Sequence, residues 1–189
     1  PILRAIASDQ PVGLVHFDAH CDTGDDYLGS KFHHGAPFRR AVEEGLVDPK
    51  RTIQIGIRGS LNDLDQWKFS HDTGMRVIYM EEFYEMGVKS VIDEIRRVAG
   101  DAPTYLTFDV DGLDPVYAAG TGTPEVGGFS TVEAQLMIRG CQGLNLIGGD
   151  VVEVAPPFDP SGNTALTGAT MMFEVLCVVA DAVARRRDE

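Results

Sequence analysis

Val12-Gly13-Leu14-Val15-His16-Phe17-Asp18-Ala19-His20-Cys21-Asp22 begins as a short, mostly apolar run and ends in a cluster of ionisable side chains. The run itself has the length and composition of a strand, and the polar cluster begins where that strand must stop. Working outward, further strand-like runs recur at 52–57, 76–79, 104–108 and 144–154. Helical patterns fall between them. Over 87–99, Val88, Val91, Ile92, Ile95 and Val98 share one helical face. Ser130 followed by Glu133 is a capping box that opens a helix over 131–141. The last helix, about 164–184, is apolar on most of its surface and is expected to be deeply packed or used at a subunit contact. Strand and helix alternating in this way predict one α/β domain over 1–189, with three layers and a mostly parallel sheet covered by helices on both faces.

Composition narrows the function classes. The formal net charge of −13 leaves no basic surface of the kind that nucleic-acid phosphates require. A hydrophobic share of 43% and a charged share of 24% are those of an ordinary soluble domain. No apolar run is read as approaching the ~20 residues of a membrane helix. Cys21, Cys141 and Cys177 are odd in number and lack CxxC spacing, so they are expected as reduced core or near-site thiols in a cytoplasmic protein.

In open α/β sheets, ligands bind beyond the carboxyl ends of the strands. Two clusters stand there: Asp18, His20 and Asp22 after the first strand, and Asp109 and Asp111 after 104–108, with Asp114 following. Either cluster alone reads equally well as a solvated Asp-rich turn. Both together load the sheet's end with carboxylates that are costly to bury without a cation. Four carboxylates and one imidazole suit a divalent ion such as Mn²⁺ better than a thiolate metal. Five ligands exceed the needs of one catalytic ion, which points to two ions sharing bridging carboxylates.

Asp18-Ala19-His20-Cys21-Asp22 resembles the first metal motif of the arginase/agmatinase (ureohydrolase) family, and 107–115, Thr-Phe-Asp-Val-Asp-Gly-Leu-Asp-Pro, is similar to the second. Gly120-Thr121-Gly122-Thr123-Pro124-Glu125 and Val152-Glu153-Val154-Ala155-Pro156-Pro157 are similar to two further signatures, in family order. The likeness is greatest to the bacterial agmatinase and guanidinobutyrase branch. It implies an arginase-like three-layer αβα fold and hydrolysis of a guanidino compound to urea and an amine. It also implies two Mn²⁺ per site, a trimer or hexamer, and no nucleic-acid or membrane partner.

By the same resemblance, Asp18 and Asp109 would bridge the ions. Asp22 would complete one ion's shell, and His20 with Asp111 the other's. Glu153 would pair with the guanidinium, and His34 would carry a proton to the leaving amine. His33 reads as packing or as a support behind the ligands, His16 as a satisfied core histidine, and His71 as a surface residue. Thr121 and Thr123, on a glycine-rich and therefore flexible loop, are candidates to touch substrate, as is Tyr27. The family's Gly-Gly-Asp-His motif, which supplies another histidine ligand, has no counterpart here. The chain is therefore expected to be the C-terminal portion of a longer one, with its N-terminal part missing, and to have little activity alone.

The substrate's far end is left open. Asp25 and Asp26 would suit a second cation, as in agmatine, whereas Lys31 and Arg39 would suit a carboxylate. The stretches 38–45 and 139–144 resemble the guanidino-acid branch and favour a guanidino acid such as 4-guanidinobutyrate. Two competing readings are a non-catalytic member kept for assembly and a one-zinc amidohydrolase of deacetylase type. The full ligand set disfavours the latter.

Overall fold

The computed structural model describes residues 1–7, 9–60 and 65–188. Its five strands are β1 (Val12–Phe17), β2 (Val47–Ile57), β3 (Arg76–Tyr79), β4 (Thr104–Asp109) and β5 (Leu146–Val152). They form one sheet in the order β3-β2-β1-β4-β5, with every pairing parallel. β1 is central and buried along its whole length. This suits a run with almost no polar residue, since both faces of a parallel sheet are covered.

Among the described residues the α-helices are α1 (Ile2–Ile6), α2 (Pro37–Glu43), α3 (Asp65–Thr73), α4 (Met80–Ala99), α5 (Thr131–Gly140) and α6 (Asn163–Asp188). Alternation along the strands sends side chains to two cores. Val15, Phe17, Ile53, Ile55, Leu106 and Phe108 face α4, α5 and α6. Val12, Leu14, Val47 and Tyr105 face α1 and α2 on the other side. α3 lies in that second layer, where Arg39 of α2 stacks 4.7 Å from the centroid of Phe69. The three-layer expectation holds.

Several boundaries differ from expectation. The predicted helix start at Gly87 is a break inside α4, where Gly87 has φ 72° and two helical pieces meet. α5 begins with the capping box that Ser130 and Glu133 predict. α2 and α3 have no counterpart among the predicted elements. Both are short, and α3 carries too few apolar residues for a clear stripe.

α6 corrects the expectation that no run approaches a membrane helix, and the first of its own two expected roles, deep packing or a subunit contact. By length and composition, Asn163–Arg187 is apolar enough to cross a membrane, and only a third of its apolar window is buried. It is therefore not deeply packed. One face, with Met171, Val175, Val178 and Ala182, packs into the core, and Glu174 on that side binds Arg139 of α5. The opposite face exposes Leu166, Phe173 and Leu176. Cys177 is also exposed, unlike Cys21 and Cys141, which are buried.

Sheet order positions the site. The chain runs β1, β2, β3 toward one edge, returns to the other side of β1 for β4, and continues to β5. The order therefore reverses between β1 and β4, and such switch points open a crevice beyond the carboxyl ends of the strands.

Candidate metal centre at the switch point

β1 and β4 pair in register, with Phe17 opposite Phe108, so the next residues, Asp18 and Asp109, emerge side by side. Beyond β4 the chain enters a short 3-10 turn, Val110–Gly112, in which the Asp109 carboxylate accepts from the Asp111 amide at 2.9 Å. Beyond β1 a tight turn brings the Ala19 amide to Asp111 Oδ1 at 3.1 Å and the His20 amide to Asp18 Oδ1 at 2.6 Å. His20 Nδ1 lies 3.1 Å from Asp111 Oδ2 and 3.4 Å from Asp18 Oδ1. Two triads thus have mutually close ligand atoms: Asp18, His20, Asp111 and His16, Asp18, Asp22.

A cavity of about 350 Å³ opens over this cluster. His20, Asp22, Asp109 and Asp111 form its floor, while Glu153, Thr123, His34 and Tyr27 are also in its walls. Among the described residues, only Asp22, Leu28 and Glu153 are non-glycines with positive φ, and two of these three line the cavity. Such backbone strain concentrates where side chains must be aimed.

The electrostatics show which groups resist ionisation. Burial, then the charge of Asp18, pushes the Asp22 and Asp109 carboxyls far above the usual range, and Asp111 is raised for the same reasons. Burial opposes protonation of His20, but its bonds to Asp111 and Asp18 outweigh that and raise it to about 11. Asp18 is also penalised by burial, yet His16 and His20 beside it hold it below the usual range. The cluster cannot carry all four carboxylate charges without added positive charge. An oxygen-rich set with one imidazole fits hard-to-borderline divalent ions such as Mn²⁺.

Other expected residues fall as follows. Thr123 Oγ1 donates to Asp111 Oδ2 at 3.1 Å. Thr121 is buried, does not line the cavity, and its hydroxyl has no partner among the described residues. His33, read as packing or support, also lines the cavity, and its Nε2 is buried without a described partner. His71 is exposed and bonds Tyr79. Asp114 ties down its own loop by accepting from the amides of Val116 and Gly127. Lys31, Arg39 and Arg40 all pair with Asp25 and do not line the cavity.

Sequence reasoning missed Arg58. Its buried guanidinium donates to the carbonyls of Gly56, Asp111, Gly112, Leu113, Glu125 and Val126. One cation thereby ties the end of β2, the Asp111 turn and the loop carrying Thr123 and Glu125. That loop was expected to be flexible. The one visible signal was an arginine between Gly56-Ile57 and Gly59 directly after a strand.

These features define a class: an open parallel α/β protein with an acidic, histidine-containing cavity at its topological switch point. Residues 1–178 match the arginase family, and the chain belongs to it. It is 59% identical over 186 residues to guanidinopropionase of Pseudomonas aeruginosa, covering 98% of this chain and 58% of the relative. It is 54% identical over 180 residues to the mitochondrial agmatinase of Gallus gallus, covering 95% and 53% respectively. The solved structure of proclavaminate amidino hydrolase from Streptomyces clavuligerus superposes with a TM-score of 0.91 at 40% identity, over 95% of this chain and 60% of that one. The chain thus spans little more than half the length of these relatives.

Proposed function

We propose that the protein carrying this chain is a two-manganese hydrolase that converts a guanidino compound to urea and an amine. The observation that carries the reading is the convergence of His20, Asp22, Asp109 and Asp111 on the floor of one cavity, with Asp18 buried beneath them against His20 and Asp111 and Glu153 in the wall. In this reading Asp18 and Asp109 would be shared by the two ions, Asp22 would serve one, and His20 with Asp111 would serve the other. When bound, the ions lower the pKa of water and make a nucleophile available at neutral pH.

The chain's own residues do the remaining work. Glu153 offers a carboxylate to the planar, fork-shaped guanidinium, a match that orients as well as binds. Thr123 holds Asp111 by a hydrogen bond. His34 is exposed to the cavity and carries a proton to the leaving nitrogen, a task suited to an imidazole near neutral pH. Tyr27 bounds the substrate's far end.

A guanidino acid is the proposed substrate class. The name of the Pseudomonas aeruginosa relative supports it; the ion pairs of Asp25 with Lys31, Arg39 and Arg40 take up candidates for either far end and favour neither. The exposed apolar face of α6 supports a homo-oligomer.

Urea release by the full-length, Mn²⁺-loaded protein tests this reading against 3-guanidinopropionate, 4-guanidinobutyrate, agmatine and arginine. A guanidino acid is expected to be turned over best. Bound Mn²⁺ with no urea from any of the four would move the reading to a non-catalytic member of the family.

A further inference from the structure

His16 belongs to one of the two triads whose ligand atoms lie close together, so it has two possible relations to the cations: a ligand, or a donor that aims a ligand. Its hydrogen bonds decide between them. His16 is buried, its ring lies 4.4 Å from that of Phe38, and its two nitrogens have different neighbours. Nε2 is 2.7 Å from Asp18 Oδ2, and Nδ1 is 3.1 Å from Gln54 Nε2.

The orientation of the Gln54 amide is fixed independently. Its nitrogen also donates to the Cys21 carbonyl at 2.6 Å. One end of this buried amide has no described partner in either orientation (Oε1 as it stands), so the Cys21 contact decides: turning the amide over would replace that hydrogen bond with two oxygens in opposition at 2.6 Å. The NH₂ therefore faces His16, and the Nδ1 lone pair must accept. A neutral imidazole that accepts at Nδ1 carries its proton at Nε2. That proton points at Asp18.

We propose that Gln54 fixes the Nε2–H tautomer of His16, and that His16 is a positioning residue that aims the Asp18 carboxylate rather than a metal ligand. The inference rests on the reading of Asp18 as a ligand. A protonated Nε2 has no lone pair to give a cation, so His16 drops out of the ligand set. Its bond instead fixes the plane of the Asp18 carboxylate, leaving the remaining lone pairs for the ions. Outer hydrogen bonds of this kind typically change metal affinity about 10–100-fold.

Long-range ¹H–¹⁵N correlation spectra of the metal-free, full-length protein at about pH 8, where a typical histidine is neutral, read the tautomer directly. The expected result is a pyrrole-type Nε2 and a pyridine-type Nδ1 for His16. The reverse assignment overturns the proposal. Gln54→Leu is expected to erode the tautomer preference and weaken Mn²⁺ binding about 10–100-fold, with the number of ions bound unchanged. Loss of one ion in His16→Asn would make His16 a ligand and overturn the proposal. The wild-type spectrum needs neither a folded variant nor bound metal. If wild-type protein binds no Mn²⁺, the proposed function fails while the tautomer is still decided.

Discussion

Phe17 and Phe108 are register partners across β1 and β4, with ring centroids 5.7 Å apart, and each is followed directly by an aspartate. The apolar pairing that builds the core thus sets Asp18 and Asp109 together at the switch point, where the histidines beside it hold Asp18 ionised while burial and the Asp18 charge oppose ionisation of Asp109. Without a cation this is an unfavourable place for two carboxylates.

Asp109→Asn should therefore stabilise the metal-free protein, by about 1 kcal/mol, because it removes a buried group that resists ionisation. The same substitution should abolish high-affinity Mn²⁺ binding. Chemical denaturation in chelator, alongside metal titration, checks both effects. A metal-free variant less stable than wild type would contradict the electrostatic account.

The pH dependence follows with its sign. Asp22, Asp109 and Asp111 are raised in the folded, metal-free protein, so between about pH 4 and their folded values the native state holds protons that the unfolded chain has released. Stability then falls as pH rises. His20 adds to this: its contribution is complete below about pH 6.5 and is lost as pH climbs through about 11. Asp18, lowered instead, contributes above about pH 4 and loses that contribution as the solution becomes more acidic. Metal-free protein should melt at a higher temperature at about pH 5 than at about pH 9, where typical carboxyl groups are ionised. Mn²⁺ should shrink or reverse the difference, since metal takes the place of the protons.

Arg58→Lys should destabilise the protein by about 2–3 kcal/mol, because an ammonium cannot reproduce the fork that serves six carbonyls on three segments. Hydrogen exchange should rise first in the loop carrying Thr123 and Glu125. Unchanged protection there would show that the loop is held by other means.

Glu153→Gln should leave Mn²⁺ binding intact and lower kcat/KM about 100-fold, the loss expected when a charge-assisted guanidinium pair becomes neutral. Steady-state kinetics with metal analysis separates this from a ligand defect, which would reduce both.

What was legible in the sequence was what periodicity and strand ends announce. Val12–Phe17 reads as a buried strand, Ser130 and Glu133 as a capping box, and Asp18 and Asp109 as carboxylates one step past strands. The misses are contacts between distant segments. Gln54 looks like a polar interruption of β2 until folding brings His16 and Cys21 to it from the neighbouring strand and loop. Arg58 finds its acceptors up to 68 positions away. Asp25 reads as a free carboxylate until α2 presents Arg40 at 2.7 Å. Gly56 lies inside the expected strand 52–57, where nothing in the sequence announces that its φ is +102° and that a Cβ there would meet the Phe129 ring at 2.6 Å.

Electron paramagnetic resonance of the full-length protein titrated with Mn²⁺ decides whether the cluster holds a metal pair. Two ions per chain are expected, spin-coupled as ions sharing Asp18 and Asp109 would be. A single uncoupled Mn²⁺ at saturation, or none, would contradict the two-metal reading.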